Sequence, residues 1–245
     1  MGEQGWTRQE VLRRAGGVLL AGGTFDLARA ATAFAAGAAD VRHYVTRPGL
    51  RPPRLTMRYT GRTGDGYLFL APSSGPGQRG VMIVDHDGDI VWFHPTTPHT
   101  AMNFRPGHFH GRPVLTWWEG KADNGLGRGT HVVVDQSYRE IIRIPAGGGR
   151  QSDLHEFLIT PHNTALVSSY EVRTADLSAL GGPAQAPVIG GIVQELALPS
   201  GRLLFEWRSL DHVDVTETHA PYIGHPHDYI HINTIHHTAD GDLLI

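Results

Sequence analysis

The sequence lacks cysteine, has few charged residues and contains no long apolar run. None of its 245 residues is Cys, and only 18% are charged. The absence of Cys excludes disulfides, thiolate metal sites and a cysteine nucleophile. A formal net charge of −3 gives no electrostatic basis for binding nucleic acid. The weakly apolar stretch 15–25 is too short to span a bilayer before Asp26 interrupts it. We therefore expect no nucleic-acid partner and no stable membrane insertion.

Glycine and proline, by contrast, are abundant. The chain has 31 Gly and 16 Pro, together 47 of 245 residues. This composition is typical of many short strands joined by tight turns, and it argues against long charged helices. The length suffices for one large domain or two small ones.

The N-terminal segment has the features of an export signal. A basic stretch at 7–14 precedes the weakly apolar one, and Ala31–Ala33 and Ala36–Ala38 offer cleavage sites of the A-x-A type. The arginines resemble a twin-arginine signal, although Gln9 stands where the second arginine is usual. The alternative is a short amphipathic helix with an Ala-rich leader. In either case residues 1–40 are expected to lie outside the fold, and we expect export to the cell envelope or beyond.

A strand–turn–strand pattern repeats from Arg54 onward. Two types of hairpin alternate along the chain, and two successive hairpins make a four-stranded meander of roughly 50 to 75 residues, which predicts β-propeller blades. A β-sandwich is the alternative, but it does not predict two alternating hairpin types. The turn centres fall near residues 87, 111, 136, 162, 200 and 240.

The blade count predicts an incomplete ring. Blades are expected near 55–94, 101–144 and 153–208, with the opening hairpin of a fourth at Asp228–Ile245. Known propellers close with four to eight blades. Residues 45–245 are therefore expected to form a partial all-β propeller, and the chain to be an N-terminal fragment of a longer reading frame. Closure by two paired chains is the alternative.

Several repeated residues are expected to have structural roles. Aspartates beside the turns, such as Asp85 and Asp240, are interpreted as solvated turn residues. His236 and His237 are adjacent on a strand and cannot easily share one metal ion. Tryptophans at strand ends are expected to pack between blades. These are Trp92, Trp117, Trp118 and Trp207.

The candidate site residues lie on the predicted first strands, which line the channel of a propeller. His155 follows Asp153 by two residues, and His231 follows Asp228 by three. His231 and Asn233 are two apart, so on a strand they share one face. Histidines that recur in neighbouring blades would converge on one axis, which makes this group the best candidate site.

A succession of motifs along residues 45–245 resembles the arylsulfotransferase family of secreted proteins, in its actinobacterial branch. Each motif alone is short, and the specificity comes from their order. The motifs are Arg47–Pro53, Tyr67–Pro72, Gly77–Gly80, Val91–His94, Gly111–Trp118, Asp153–Phe157, Phe205–Trp207, Ser209–His212 and Asp228–Ile235.

The resemblance implies an exported six-bladed propeller with a site in its channel. It implies transfer of a sulfuryl group from a phenolic sulfate ester to a phenolic acceptor, without the nucleotide donor 3′-phosphoadenylyl sulfate. The route is ping-pong through a sulfo-histidine, so no cofactor and no metal are expected. A neutral imidazole can attack sulfur and divide the transfer into two easier displacements. Further polar groups can bind the sulfuryl oxygens and protonate the leaving phenoxide.

The resemblance also implies roles for individual residues. His231, in the pattern Asp-x-x-His-x-Asn, matches a family active-site histidine best, and we expect it to bind the sulfuryl group or the leaving oxygen. His155 is the second catalytic candidate. Asn233 and Asp228 are expected to contact substrate. The nucleophilic histidine and a sulfuryl-binding arginine are expected beyond Ile245, so the full-length protein is expected to be the enzyme and this chain an inactive fragment.

Two other classes of function stay open at this point. Propeller hydrolases and lactonases hold a divalent ion in the channel, and Asp153, His155, Asp228 and His231 could supply ligands for one. A propeller can also bind a ligand or protein without catalysis, because a fold does not fix a function.

Overall fold

The computed structural model describes residues 44–58, 61, 64, 66–224 and 226–245, and the structural statements below concern these residues. The predicted leader at 1–40 lies outside them. Within the described residues the protein is all-β, and its helical structure consists of single 3₁₀ turns such as Ser178–Leu180. No helix in this part of the chain has the length and apolarity needed to cross a bilayer. The strands are β1 Leu68–Leu70, β2 Gly80–Val84, β3 Ile90–Pro95, β4 Thr100–Phe109, β5 Arg112–Asp123, β6 Leu126–Val134, β7 Glu140–Ile144, β8 Phe157–Ile159, β9 Thr164–Ala175, β10 Ala186–Ala197, β11 Arg202–Arg208, β12 His227–Asp228, β13 His236–His237 and β14 Leu243–Leu244.

The strands form successive antiparallel sheets in chain order. The first sheet is β1-β2-β3, the second is β4-β5-β6-β7, and the third is β8-β9-β10-β11. A two-stranded sheet of β13 and β14 follows. Each large sheet is an up-and-down meander whose neighbours in space are neighbours in sequence. The predicted all-β class is confirmed, and this arrangement is consistent with a partial propeller.

The central strands of each sheet are apolar on both faces because each sheet is covered on both sides. In β2, Val81 and Ile83 point to one core cluster and Met82 and Val84 to another. In β6, Val132 and Val134 point to the cluster between the first and second sheets, and Val133 points to the cluster between the second and third sheets. Continuous apolar runs, rather than alternating ones, are the expected sequence of strands buried on both faces. The core therefore lies between the sheets.

The predicted turns and tryptophan positions are also found. The Asp85 carboxylate accepts hydrogen bonds from the backbone N–H groups of Asp87 and Asp89, which closes the turn between β2 and β3. Trp92 and Trp117 lie in the cluster between the first and second sheets, and Trp118 is fully buried. Trp207 packs against the cluster between the third sheet and the C-terminal segment.

The C-terminal segment differs from the expected hairpin. Its turn is present, since Thr238 and Asp242 are joined by backbone hydrogen bonding, but β13 and β14 have only two residues each. Residues 229–235 form no strand. Instead β12 pairs in parallel with β10, with Val188 opposite His227 and Ile189 opposite Asp228. The segment thus pairs with the first part of β10, whereas β11 pairs with residues 192–197 of the same strand.

A fully buried histidine lies at the interface of the second and third sheets. The His131 side chain in β6 has no exposed surface, and its ring stacks on Phe157 with centroids 4.3 Å apart. Within the described part of the chain neither ring nitrogen has a hydrogen-bond partner. Burial, together with the positive charge of Arg105, lowers the pKa of His131 to about 3. The folded protein therefore holds this imidazole neutral.

We expect the buried His131 to make the protein less stable as the pH falls, and we expect His131→Leu to lack this pH dependence. Between pH 6.5, the ordinary pKa of His, and about 3, the unfolded chain binds a proton that the folded protein does not. The unfolding free energy should therefore fall by up to about 1.4 kcal/mol for each pH unit of acidification in this window. His131→Leu should lack this component, which denaturant unfolding across a pH series would measure. His108→Leu, at an exposed position in β4, serves as the control and should keep the wild-type slope. Equal slopes for wild type and His131→Leu would contradict the assignment.

Candidate functional site

The link that precedes β8 lies directly against β6, where Gly127 leaves room for it. Gly129 and Ser152 exchange two backbone hydrogen bonds, at 3.0 and 2.9 Å. A Cβ atom on Gly127 would lie 2.5 Å from the backbone nitrogen of Leu154, so only glycine fits there. Trp118 donates its indole N–H to the Ser152 carbonyl at 3.0 Å. These contacts fix the residue that follows, Asp153.

Asp153 is fully buried and its carboxylate is satisfied from two directions. Oδ1 accepts the backbone N–H of Gly127 at 2.6 Å. Oδ2 accepts the backbone N–H of His155 at 2.9 Å and lies 2.6 Å from the Nδ1 atom of the same residue. A carboxylate only accepts hydrogen bonds, so Nδ1 of His155 is the donor. The Asp-x-His spacing thus holds the imidazole in one orientation and leaves Nε2 as its free nitrogen.

The segment that carries His231 is attached to the third sheet by side chains. The Tyr170 hydroxyl, from β9, accepts the N–H of Ile232 at 3.0 Å and donates to its carbonyl at 3.2 Å. Gly191 in β10 leaves the space that the Ile232 side chain fills, since a Cβ there would be 2.4 Å from its Cδ1. Burial, with the nearby carboxylates of Asp153 and Asp228, raises the pKa of Tyr170 well above its usual range, so the hydroxyl keeps its proton.

The second aspartate–histidine pair forms within this segment. The β12–β10 pairing places Asp228, and its Oδ2 lies 2.8 Å from Nδ1 of His231. Oδ1 of Asp228 is buried and has no hydrogen-bond partner among the described residues. This pair is more open than the first one. The side chains of Asp228 and His231 are each 32% exposed, whereas those of Asp153 and His155 are 0% and 16% exposed.

The two pairs meet at their free nitrogens. Nε2 of His155 and Nε2 of His231 are 3.3 Å apart, although the residues are 76 positions apart in the chain. The rings are nearly perpendicular, at 86°, with centroids 4.8 Å apart. Because each Nδ1 donates to a carboxylate, each neutral ring presents a lone pair at Nε2. The two Nε2 atoms are therefore close enough to share one proton or to hold one other electrophile.

A ring of polar contacts supports the backbone beside the pair. Asn103 lies at a bulge in β4 with φ of 55°, and its amide donates to the His155 carbonyl at 3.2 Å. Glu156 bonds Arg105 through Oε1 and accepts the Thr234 hydroxyl at 3.2 Å through Oε2. Arg105 also donates to the Phe157 carbonyl. These contacts join the second sheet, the third sheet and the C-terminal segment around the histidines.

The structure brings three of the four predicted site residues together. His155, His231 and Asp228 form the cluster, but Asp228 lies behind His231 and orients it. Asn233 is exposed, and no hydrogen bond joins it to either imidazole in the described part of the chain. Neither histidine lies on a strand: His155 precedes β8, and His231 lies between β12 and β13. The roles predicted for these four residues stay predictions.

Sequence reasoning missed two contributors to the site, Gly125 and Tyr170, and it named Asp153 without its orienting role. Gly125, at the turn between β5 and β6, approaches His231, since a Cβ there would be 3.5 Å from its Cε1. Its Asn124-Gly125 dipeptide is a strong hairpin signal that could have located this turn. The orienting role of Asp153 follows from its spacing to His155. Tyr170 carries no sequence signal, because its partner is a backbone group far along the chain.

Among the described residues no group of three or more histidine and carboxylate side chains is arranged to hold a metal ion. A bound ion at this site would therefore need ligands from solvent or substrate in addition to the two imidazoles.

Comparison with known proteins gives one match. The family model described as Arylsulfotransferase (ASST) matches residues 105–245, which is more than half of the chain and includes both aspartate–histidine pairs. No curated protein and no solved structure matches the chain.

Replacement of one oxygen of the buried Asp153 carboxylate by an NH₂ group is expected to destabilise the protein. In Asp153→Asn the amide NH₂ replaces an oxygen and opposes an N–H donor, so one buried donor loses its acceptor. The unfolding free energy should fall by about 1–3 kcal/mol, as denaturant titration would show. Asp135→Asn is the matched control, because Asp135 is a turn residue whose Oδ1 accepts two backbone N–H groups, and an asparagine oxygen can do the same. That variant should change by less than about 0.5 kcal/mol. Equal effects of the two changes would refute the role given to Asp153.

Proposed function

Because this chain belongs to the arylsulfotransferase (ASST) family, we propose that its aspartate–histidine pairs serve the transfer of a sulfuryl group from a phenolic sulfate ester to a phenolic acceptor. The observation that carries the proposal is the convergence of two carboxylate-oriented imidazoles at 3.3 Å, at one exposed site. The family match covers both pairs. Imidazoles oriented in this way are suited to binding anionic oxygens and to moving a proton.

In the first half of the proposed reaction, the sulfur–oxygen bond of the donor ester breaks. The sulfuryl group passes to a nucleophilic imidazole nitrogen, and the phenoxide leaves with the bonding electron pair. The proton shared by the Nε2 atoms of His155 and His231 moves to the phenoxide oxygen, so the leaving group departs as a neutral phenol. Protonation of a leaving oxygen by a positioned side chain typically contributes a factor of about 10² to 10⁴ in rate.

In the second half, the acceptor phenol attacks the sulfuryl group. The sulfur–nitrogen bond breaks, a new sulfur–oxygen ester bond forms, and the phenol proton returns to the histidine pair. Each half-reaction transfers one proton and one sulfuryl group. The proposed reaction is therefore complete without a nucleotide donor or a redox cofactor. Division into two displacements through a covalent intermediate is the advantage of nucleophilic catalysis.

We assign His155 and His231 to proton transfer and sulfuryl binding, and the nucleophile to another histidine. Their Nε2 atoms face each other, and an imidazole engaged in this way is a poor nucleophile towards sulfur. Asp153 and Asp228 act as positioning residues, since each fixes the ring whose Nδ1 it accepts. Export of the protein remains part of the proposal and is based on residues 1–40 alone.

The proposal predicts a large loss of transfer when either imidazole is removed. The assay follows nitrophenolate release from 4-nitrophenyl sulfate with phenol as acceptor, in a form of the protein whose ring of blades is complete, from a longer chain or by association of chains. His231→Ala and His155→Ala should each lower kcat by about 100-fold or more, because the leaving phenoxide loses its proton source.

The matched control is His237→Ala, which removes an exposed imidazole from β13 and should leave kcat near that of the wild type. An unchanged rate in His231→Ala would show that the site is assigned wrongly. Absence of any transfer by the complete wild-type protein would reject sulfuryl transfer itself.

A further inference from the structure

The facing nitrogens of His155 and His231 also have the geometry of a pair of metal ligands. Both Nδ1 atoms donate to a carboxylate, so Nε2 is the free nitrogen of each ring. Two lone pairs at 3.3 Å repel each other unless an electrophile lies between them. A proton is one such electrophile, and a divalent ion is another.

The separation of the two nitrogens fits one metal ion closely. Zinc–imidazole bonds are about 2.0–2.1 Å long, so two nitrogens 3.3 Å apart subtend an angle of about 107° at the ion, near the tetrahedral value. The rings are nearly perpendicular, with centroids 4.8 Å apart, so the two nitrogens approach each other without stacking of the rings.

The surroundings of the pair are also those of metal-bound histidines. Such histidines usually donate the second ring N–H to a carboxylate, which fixes the ring and makes it a better ligand. Asp153 and Asp228 supply this contact to the two rings. The buried Oδ1 of Asp228, unpartnered within the described residues, adds negative charge close to the site and favours a cation there.

We propose that His155 and His231 form a two-histidine binding site for a divalent first-row transition ion of the Zn²⁺ class. Imidazole nitrogens select Zn²⁺, Cu²⁺ or Ni²⁺ over Mg²⁺ and Ca²⁺, which prefer oxygen ligands. The remaining coordination positions face solvent and are open to water or to an anionic oxygen. With two protein ligands the ion is held reversibly and exchanges with chelators.

Metal binding and sulfuryl transfer exclude each other at this site. The ion occupies the lone pairs that otherwise hold the transferable proton, so the metal-bound protein cannot protonate a leaving phenoxide. The ion is therefore an inhibitor of the proposed reaction and not its cofactor. The binding site itself is independent of that reaction and can be tested without turnover.

The test is calorimetric titration of the 245-residue chain with Zn²⁺, followed by the visible spectrum of the Co²⁺ form. One ion per chain should bind, and the Co²⁺ spectrum should have the intensity of a tetrahedral rather than an octahedral complex. His155→Gln and His231→Gln should each abolish this binding. Asp228→Asn should weaken it by about tenfold, because the carboxylate that orients the ligand is lost. Mg²⁺ should give no signal.

The control is His237→Gln, which alters an exposed imidazole outside the pair and should keep wild-type affinity. Thermal melting of each variant establishes that loss of binding is not loss of fold, and the partial exposure of both histidines makes the glutamine changes mild. Wild-type affinity in His155→Gln or His231→Gln would overturn the proposal. Binding of several ions per chain that none of these changes affects would mean adventitious binding only.

Discussion

The arrangement of the candidate site depends on burying one carboxylate completely. Asp153 has no exposed surface, and a buried carboxylate is tolerated only when donors surround it. The donors come from Gly127 on one sheet and from His155 on the link to the next. The same contacts that compensate the buried charge therefore set the spacing of the two sheets and the orientation of the first imidazole. The packing of the second sheet against the third and the orientation of His155 therefore both follow from the burial of the Asp153 carboxylate.

The sheets themselves could be predicted from sequence because their determinants are local. A turn such as Asp85–Asp89 closes through hydrogen bonds within five residues, and an apolar run such as Val132–Val134 shows burial on both faces. The alternation of two hairpin types then gives the order of the strands. The spacing of Asp153 to His155, and of Asp228 to His231, also marks both histidines as candidates.

The contacts that complete the site could not be predicted, because they join distant parts of the chain through irregular backbone. The parallel pairing of β12 with β10 involves two residues and leaves no periodic pattern. The Tyr170 hydroxyl bonds the N–H and the carbonyl of Ile232, and we call this double contact the Tyr170 clamp. Because it involves backbone atoms only, the side chain at position 232 gives no indication of it. The strand expected to carry His231 and Asn233 in the hairpin Asp228–Ile245 is absent for the same reason, since residues 229–235 form no strand. Its extended pattern comes from the apolar anchors Ile232 and Ile235, which fill the cluster beside β9 and β10.

The clamp by Tyr170 on Ile232 also determines when the site can form during folding. Each meander closes through short loops, whose entropic cost is low, whereas the meeting of His155 with His231 closes 76 positions of chain. A contact between residues so far apart in sequence becomes favourable only after the third sheet has formed. That sheet supplies Tyr170 and the space over Gly191 that Ile232 fills. We therefore expect the paired imidazoles to meet late in folding and to separate early on partial unfolding. The distance between the two imidazoles would then report whether the sheets around them are folded.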